Sequence, residues 1–166
     1  MRIRHLVPVM LVAVLSGAAV ATANTSHAGW PARTGVLRIA PDSDTLYRGT
    51  VRNDELLGGH GSDVLAGRHG RDVIWGDKNP SGQPETQHDV LYGNAGDDFI
   101  YASHGDNDIY AGPGNDLVHA HFGRGTIDCG AGEDVLFVSR RSQPGYLIRN
   151  CETISHETIS HKTLGY

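Results

Sequence analysis

Gly58-Gly59-His60-Gly61-Ser62-Asp63-Val64-Leu65-Ala66 is the clearest copy of a nine-residue phrase that fills residues 49–137. In register the copies read GTVRNDELL, GGHGSDVLA, GRHGRDVIW, an interrupted copy, then GNAGDDFIY, ASHGDNDIY, AGPGNDLVH, AHFGRGTID and CGAGEDVLF. The interrupted copy, residues 76–92, is nine residues plus an eight-residue insertion around Asn79-Pro80-Ser81-Gly82. Every other copy follows its neighbour without a slip, and a fixed short period marks a solenoid or array.

Numbered one to nine, each copy carries its chemistry at fixed places. Position 8 is aliphatic throughout: Leu56, Leu65, Ile74, Leu91, Ile100, Ile109, Val118, Ile127 and Leu136. Position 6 reads Asp54, Asp63, Asp72, Asp89, Asp98, Asn107, Asp116, Gly125 and Asp134. Position 4 is glycine except at Arg52 and within the insertion. One aliphatic among glycines cannot lay a 3.6-residue stripe, so helix is excluded. Each copy predicts a six-residue turn followed by a three-residue strand, with position 8 pointing inward.

The chain of 166 residues fits one domain plus processing segments. Residues 1–23 read as a secretory signal: Arg2 and Arg4 precede an apolar run from Leu6 to Val20, and Ala21-Thr22-Ala23 supplies small residues for cleavage. The apolar run is short, contains Pro8 and lacks a basic flank, which argues against a membrane helix. No cysteine at the cleavage site and no hydrophobic tail suggest a membrane anchor, so the expected product is extracellular. Without the signal, twelve basic face nineteen acidic residues, a net charge of −7. Residues 49–137 hold five Lys/Arg against fifteen Asp/Glu, so the acidity sits in the repeats. Nucleic acid is an unsuitable partner for such a surface. The only cysteines, Cys129 and Cys151, would close a 23-residue segment in an oxidising compartment, two free thiols being the alternative.

The G-G-x-G-x-D-x-(aliphatic)-x pattern resembles the repeats-in-toxin, haemolysin-type calcium-binding nonapeptide. The resemblance covers about half the chain. It implies an all-β, right-handed parallel β-roll, two nonapeptides per coil, with calcium held between neighbouring turns. The implied ligand-bearing positions are Asp54, Gly59, Gly61, Asp63, Gly70, Asp72, Asp89, Gly96, Asp98, Gly114, Asp116, Gly132 and Asp134. Physical chemistry is consistent with that. Ca²⁺ takes six to eight oxygens from carboxylates and carbonyls, and glycines let a turn aim its carbonyls at one point. A metal-free solenoid using Gly and Asp as plain turn residues is the alternative.

If two copies make a coil, odd-numbered copies stack along one edge and even-numbered ones along the other. The odd edge is an aspartate ladder, Asp54, Asp72, Asp98, Asp116 and Asp134. The even edge runs Asp63, Asp89, Asn107 and Gly125, and takes the insertion. The expected calcium sites are on the odd edge, chiefly between the turns of Asp72, Asp98 and Asp116, with decay along the even edge towards the C-terminus. Asp106 and Asp108 flank Asn107 as substitutes.

Outside the repeats, residues 24–48 read as a mobile mature N-terminus and then a degenerate capping coil built on Val36-Leu37 and Leu46-Tyr47. Residues 138–166 read as a C-terminal cap and tail. Tyr146-Leu147-Ile148 would be a last strand, and the doubled Glu-Thr-Ile-Ser-His of residues 152–161 a slip in a tolerant tail. His60, His69, His88, His104, His119 and His121 lack ligand spacing for zinc and are expected to be solvated. Trp75, Tyr92, Tyr101 and Tyr110 share position 9 and would form cross-strand packing, or a face for sugar rings. No H-E-x-x-H, G-x-S-x-G or P-loop motif is present. The expectation is therefore a secreted calcium-binding module without an enzyme. A carbohydrate-active solenoid using the Tyr92, Tyr101 and Tyr110 face, or an adhesion module for an extracellular polysaccharide or cell-surface partner, stands as the alternative.

Overall fold

The computed structural model describes residues 29–79, 82 and 84–156. The signal reading of residues 1–23 and the second Glu-Thr-Ile-Ser-His copy lie outside them.

Thirteen short strands follow one another: β1 Leu37–Ile39, β2 Leu46–Arg48, β3 Glu55–Leu57, β4 Val64–His69, β5 Val73–Trp75, β6 His88–Ala95 and β7 Phe99–Tyr101. The series continues with β8 Asp106–Pro113, β9 Leu117–Ala120, β10 Arg124–Ala131, β11 Val135–Val138, β12 Tyr146–Arg149 and β13 Thr153–Ser155. Odd strands form one parallel sheet, in the order β1-β3-β5-β7-β9-β11-β13, and even strands form the other, β12-β10-β8-β6-β4-β2. Successive copies thus alternate between two sheets, a parallel β-solenoid of about six coils.

Register shows why the roll tolerates its irregularities. Leu56 pairs with Ile74 and Ile100 with Val118, two copies apart, whereas Ile74 pairs with Ile100 across the insertion. Leu65 likewise pairs with Leu91, so both sheets stay in phase across the insertion. A second, smaller expansion around the 3-10 turn Gln143–Gly145 lets Ile127 pair with Ile148.

All nine position-8 aliphatics are fully buried in one cluster between the sheets, odd copies lining one sheet and even copies the other. Alanines and cysteine at position 1 (Ala111, Ala120, Cys129) complete that core, and Tyr146 closes it. Each aliphatic contributes roughly 1.5–3 kcal/mol, against about 1–2 kcal/mol per residue for ordering the backbone. Core burial alone does not carry this fold.

The degenerate capping coil is present as β1 and β2, and the Tyr146-Leu147-Ile148 strand as β12. Three other expectations are corrected. Residues 29–38 are not a mobile arm in the described part: Trp30 is buried on the odd sheet, its Nε1 donates to the Tyr101 hydroxyl at 2.8 Å, and Thr34 and Gly35 donate to the Asn53 carbonyl. The first Glu-Thr-Ile-Ser-His copy is not a loose tail but one more half-coil, with Ile154 registered on Leu136. The position-9 aromatics do not share a face. Trp75 and Tyr101 continue through His119 to Phe137 on the odd sheet, with Tyr101 and His119 stacked at 4.7 Å and His119 and Phe137 at 5.0 Å. Tyr92 and Tyr110 stack at 5.3 Å on the even sheet and stay exposed. Alternating copies put alternate position-9 side chains on opposite sheets, so Tyr101 cannot join Tyr92 and Tyr110. His119 is accordingly buried, not solvated, and burial, with His121 nearby, lowers it to about 4.

Cys129 and Cys151 are disulfide-bonded and tie β10 to the short connection between β12 and β13. Replacing both by serine should cost about 3 kcal/mol, the chain-entropy value for a loop of this length. Urea unfolding of the calcium-saturated chain measures this; an unchanged midpoint would show that the C-terminal half-coil holds without its bridge.

Candidate metal centre

Every position-6 aspartate is buried, although each carries a carboxylate. Its burial follows from the turn: with a small residue at position 1 and glycine at position 4 in most copies, the chain folds over the position-6 side chain and directs it into the roll. One oxygen is used structurally. On the odd edge Asp54 N–H donates to Asp72 Oδ1 at 2.7 Å, Asp72 to Asp98, Asp98 to Asp116 and Asp116 to Asp134, each at 2.8 Å. The ladder begins at Val36 N–H on Asp54 Oδ1 and ends with Asp134 N–H on Glu152 Oε2 at 2.9 Å. Glu152 therefore takes the position-6 role in the last odd turn. Its spacing from Asp134 equals that of Ile154 from Leu136, a signal hidden in sequence by Glu replacing Asp.

The second oxygen separates the turns into classes. Oδ2 of Asp72, Asp98, Asp116 and Asp134 is buried without a hydrogen-bond partner. Asp54 differs: its Oδ2 accepts from the Thr50 N–H at 2.5 Å and the Thr50 hydroxyl at 3.0 Å, which closes the first odd turn on itself. On the even edge Asp63 Oδ2 accepts from Gly59 N–H at 3.0 Å, and Asp89 Oδ2 from the Ser103 hydroxyl. Gly61 N–H faces Gln87 Oε1 at 3.4 Å.

Backbone shape divides the same way. In the turns of Asp72, Asp98, Asp116 and Asp134, position 2 has positive φ (Arg68 88°, Asn94 72°, Gly112 112°, Gly130 105°), and so does position 4 (Gly70 126°, Gly96 134°, Gly114 151°, Gly132 151°). Four consecutive odd turns thus share one conformation. Arg68 and Asn94 adopt it at a steric cost that the sheets on either side must hold. Carbonyls of positions 2 and 4 point at the same positions of the next turn. A Cβ added to Gly96 or Gly114 would collide with the preceding position-4 carbonyl, and one on Gly112 with the Asn94 carbonyl. A Cβ on Gly93 would fall between Asp98 Oδ2 and the Ala111 carbonyl oxygen. Each space between these turns is lined by carbonyl and carboxylate oxygens, a hard-oxygen donor set suited to Ca²⁺ and not to zinc or copper. Among the described residues no three His, Cys, Asp or Glu side chains converge, so an ion there would take most of its ligands from the backbone.

Electrostatics oppose leaving these carboxylates bare. Burial pushes Asp98 up to about 8 and Asp72, Asp89 and Asp116 to about 7, with backbone or side-chain hydrogen bonds pulling the other way and neighbouring aspartates adding to the rise. Asp63 and Asp134 are raised for the same leading reason. A carboxyl raised in the fold stabilises it while protonated, fully below about pH 4, and this contribution is lost as pH climbs through 7 to 8. The metal-free chain should therefore be more ordered near pH 5 than near pH 8.5. Thermal unfolding in chelator at the two pH values checks the sign, and greater metal-free stability at the alkaline pH would contradict it.

A family model described as the RTX calcium-binding nonapeptide repeat (4 copies) matches residues 48–79 and 86–118, leaving out residues 80–85. These repeats of the chain belong to that family. No curated protein and no solved structure matches the chain.

Proposed function

We propose that the protein is a secreted calcium-binding β-roll whose ions occupy the odd edge. The observation that carries this reading is the run of four buried aspartate oxygens without a partner, in four consecutive turns of one conformation. Four such turns enclose three spaces, between the turns of Asp72 and Asp98, Asp98 and Asp116, and Asp116 and Asp134. Each space takes one Ca²⁺, held by position-6 carboxylates and by carbonyls of positions 2 and 4. A bound cation supplies the positive charge that the protons otherwise provide, so calcium binding is coupled to folding. The signal-like sequence pattern of residues 1–23, the disulfide and the abundance of calcium outside cells support export before folding.

Far-UV circular dichroism against free calcium tests this. Wild type should gain strand signal on addition and lose it in chelator. Asp98→Asn, which keeps the Oδ1 acceptor and removes the charge, should raise the calcium midpoint about tenfold or more, the equivalent of about 1.4 kcal/mol. Asp63→Asn should shift it less than about threefold. A spectrum indifferent to calcium would end this reading.

Two surfaces favour an extracellular partner as a second role. One is the exposed Tyr92 and Tyr110 stack. The other is a groove of about 570 Å³ at the even-edge corner, where exposed Phe122 stacks on His104 at 4.5 Å beside Arg124 and Arg141. Arg124 is paired with Asp106 at 2.8 Å and Glu85 also lines the groove, so Arg141 beside the aromatic stack is the cation that would meet an acidic polysaccharide. Binding to an acidic but not a neutral polysaccharide, lost in Phe122→Ala, is the expected outcome; turnover of the polymer would point to an enzyme instead.

A further inference from the structure

The even edge departs from the repeat pattern at Asn107 and Gly125, and on sequence this looks like decay. We infer instead that the even edge carries its own substitutes for calcium, so that Lys78, Ser103, Asn107 and Tyr146 decide which edge of the roll takes metal. The inference rests on the calcium reading of the odd edge and extends it.

At the N-terminal end the substitute is a cation. Lys78, brought in by the insertion, donates from Nζ to the Ala40 carbonyl at 2.9 Å and faces the Gly58 carbonyl at 3.4 Å. Ala40 and Gly58 are equivalent positions of successive even turns. The ammonium therefore bridges two turns through stacked carbonyls, as an inter-turn ion would. The neighbouring position-6 slot holds Thr45, whose N–H donates to Asp63 Oδ1 at 2.9 Å, and the buried carboxylate beside it, Asp77, is already bonded, accepting from Asn79 N–H at 3.1 Å and Gln87 Nε2 at 3.4 Å.

At the C-terminal end the substitute is a chain of donors. Ser103 donates its hydroxyl to Asp89 Oδ2. Asn107 Oδ1 accepts from Ser103 N–H at 3.0 Å, and Asn107 Nδ2 donates back to the Ser103 carbonyl at 3.0 Å and to Tyr146 Oη at 3.3 Å. Tyr146 in turn donates to the Phe122 carbonyl at 2.7 Å. Register explains the geometry: Asn107 pairs with Gly125, and Gly125 with Tyr146, so the tyrosine stands in the position-6 column one coil beyond. Gly125 lacks a side chain, and Tyr146 reaches back over it to the amide. A Cβ on Gly123 would collide with both Asn107 Nδ2 and Tyr146 Oη, which shows how closely this filling fits. Ser139 and Ser142 similarly donate to the His121 carbonyl at 3.0 and 2.6 Å.

The contrast between edges is complete for the aspartates. Among the described residues, every buried aspartate oxygen without a hydrogen-bond partner lies on the odd edge. A site whose carbonyls and carboxylates are already bonded gains little from an ion that must break those bonds. The even edge is a metal-independent spine, and calcium completes only the opposite side.

The test is hydrogen exchange of the full chain with and without calcium, together with ion counting by native mass spectrometry. Calcium should add protection mainly to residues 67–72, 93–98, 111–116 and 129–134, and the count should be three. Tyr146→Phe should speed exchange of residues 102–107 and 120–125 in chelator roughly fivefold to tenfold, the value of a hydrogen bond, without lowering the ion count. Lys78→Ala should do the same for residues 58–63. Asp98→Asn should lower the count and leave even-edge exchange in chelator unchanged. Equal calcium-induced protection on both edges, or ions bound at both, overturns the inference, as does a calcium midpoint shifted by Tyr146→Phe as far as by Asp98→Asn. A chain without any calcium response fails the functional reading instead, and the even-edge effects in chelator still report on the spine.

Discussion

The rest of the structure depends on one contact, the hydrogen bond from a buried position-6 backbone N–H to the carboxylate one coil further on. A buried unpaired N–H costs about 1–3 kcal/mol, and a charged acceptor makes the bond stronger than a neutral one. Repeated from Val36 to Glu152, it joins every odd coil to the next at a point where the strands have already ended. The turns are thereby stacked as firmly as the sheets. The same contact creates the chain's main liability, because each carboxylate must be buried to make it, and burial opposes its charge.

Two remedies for that liability run along the two edges. On the odd edge the second carboxylate oxygen faces a space walled by carbonyls, which a proton or a divalent cation can settle. On the even edge the chain settles it internally, through the Gly59 amide at Asp63 and the Ser103 hydroxyl at Asp89, with Asn107 and Tyr146 bonded behind Ser103. The roll is uniform in its core and divided at its rims. The aliphatic row needs every coil in register, whereas each turn needs only that its own oxygens find partners.

Much of this was legible in the sequence because the roll is built locally. The row from Leu56 to Leu136 and the alternation of copies follow from a strict period, and so does the distinction between a continuous aspartate edge and a broken one. What escaped is long-range. Glu152 and Ile154 belong to the roll, but a doubled pentapeptide and a Glu in place of Asp disguised a half-coil whose spacing was correct. Trp30 lies 45 residues from Trp75 in the chain, and only folding shows that its indole covers the odd-sheet aromatics. The shared position of Tyr92, Tyr101 and Tyr110 suggested one face, yet alternation of copies puts Tyr101 behind the core from the other two.

The sequence by itself determined the repeat, its inward row and the places where carboxylates recur, because each is set by a short period and by the conformational freedom of glycine at fixed steps. Only the tertiary structure decided what each carboxylate meets. Lys78 reaches Gly58 and Ala40 from a looped insertion, and Tyr146 reaches Asn107 across Gly125 from a different coil. Those partners come together through stacking in the third dimension, where residues far apart in the chain share one turn's interior. The gap that reads as loss at Gly125 is, in the folded roll, the space that lets a tyrosine in.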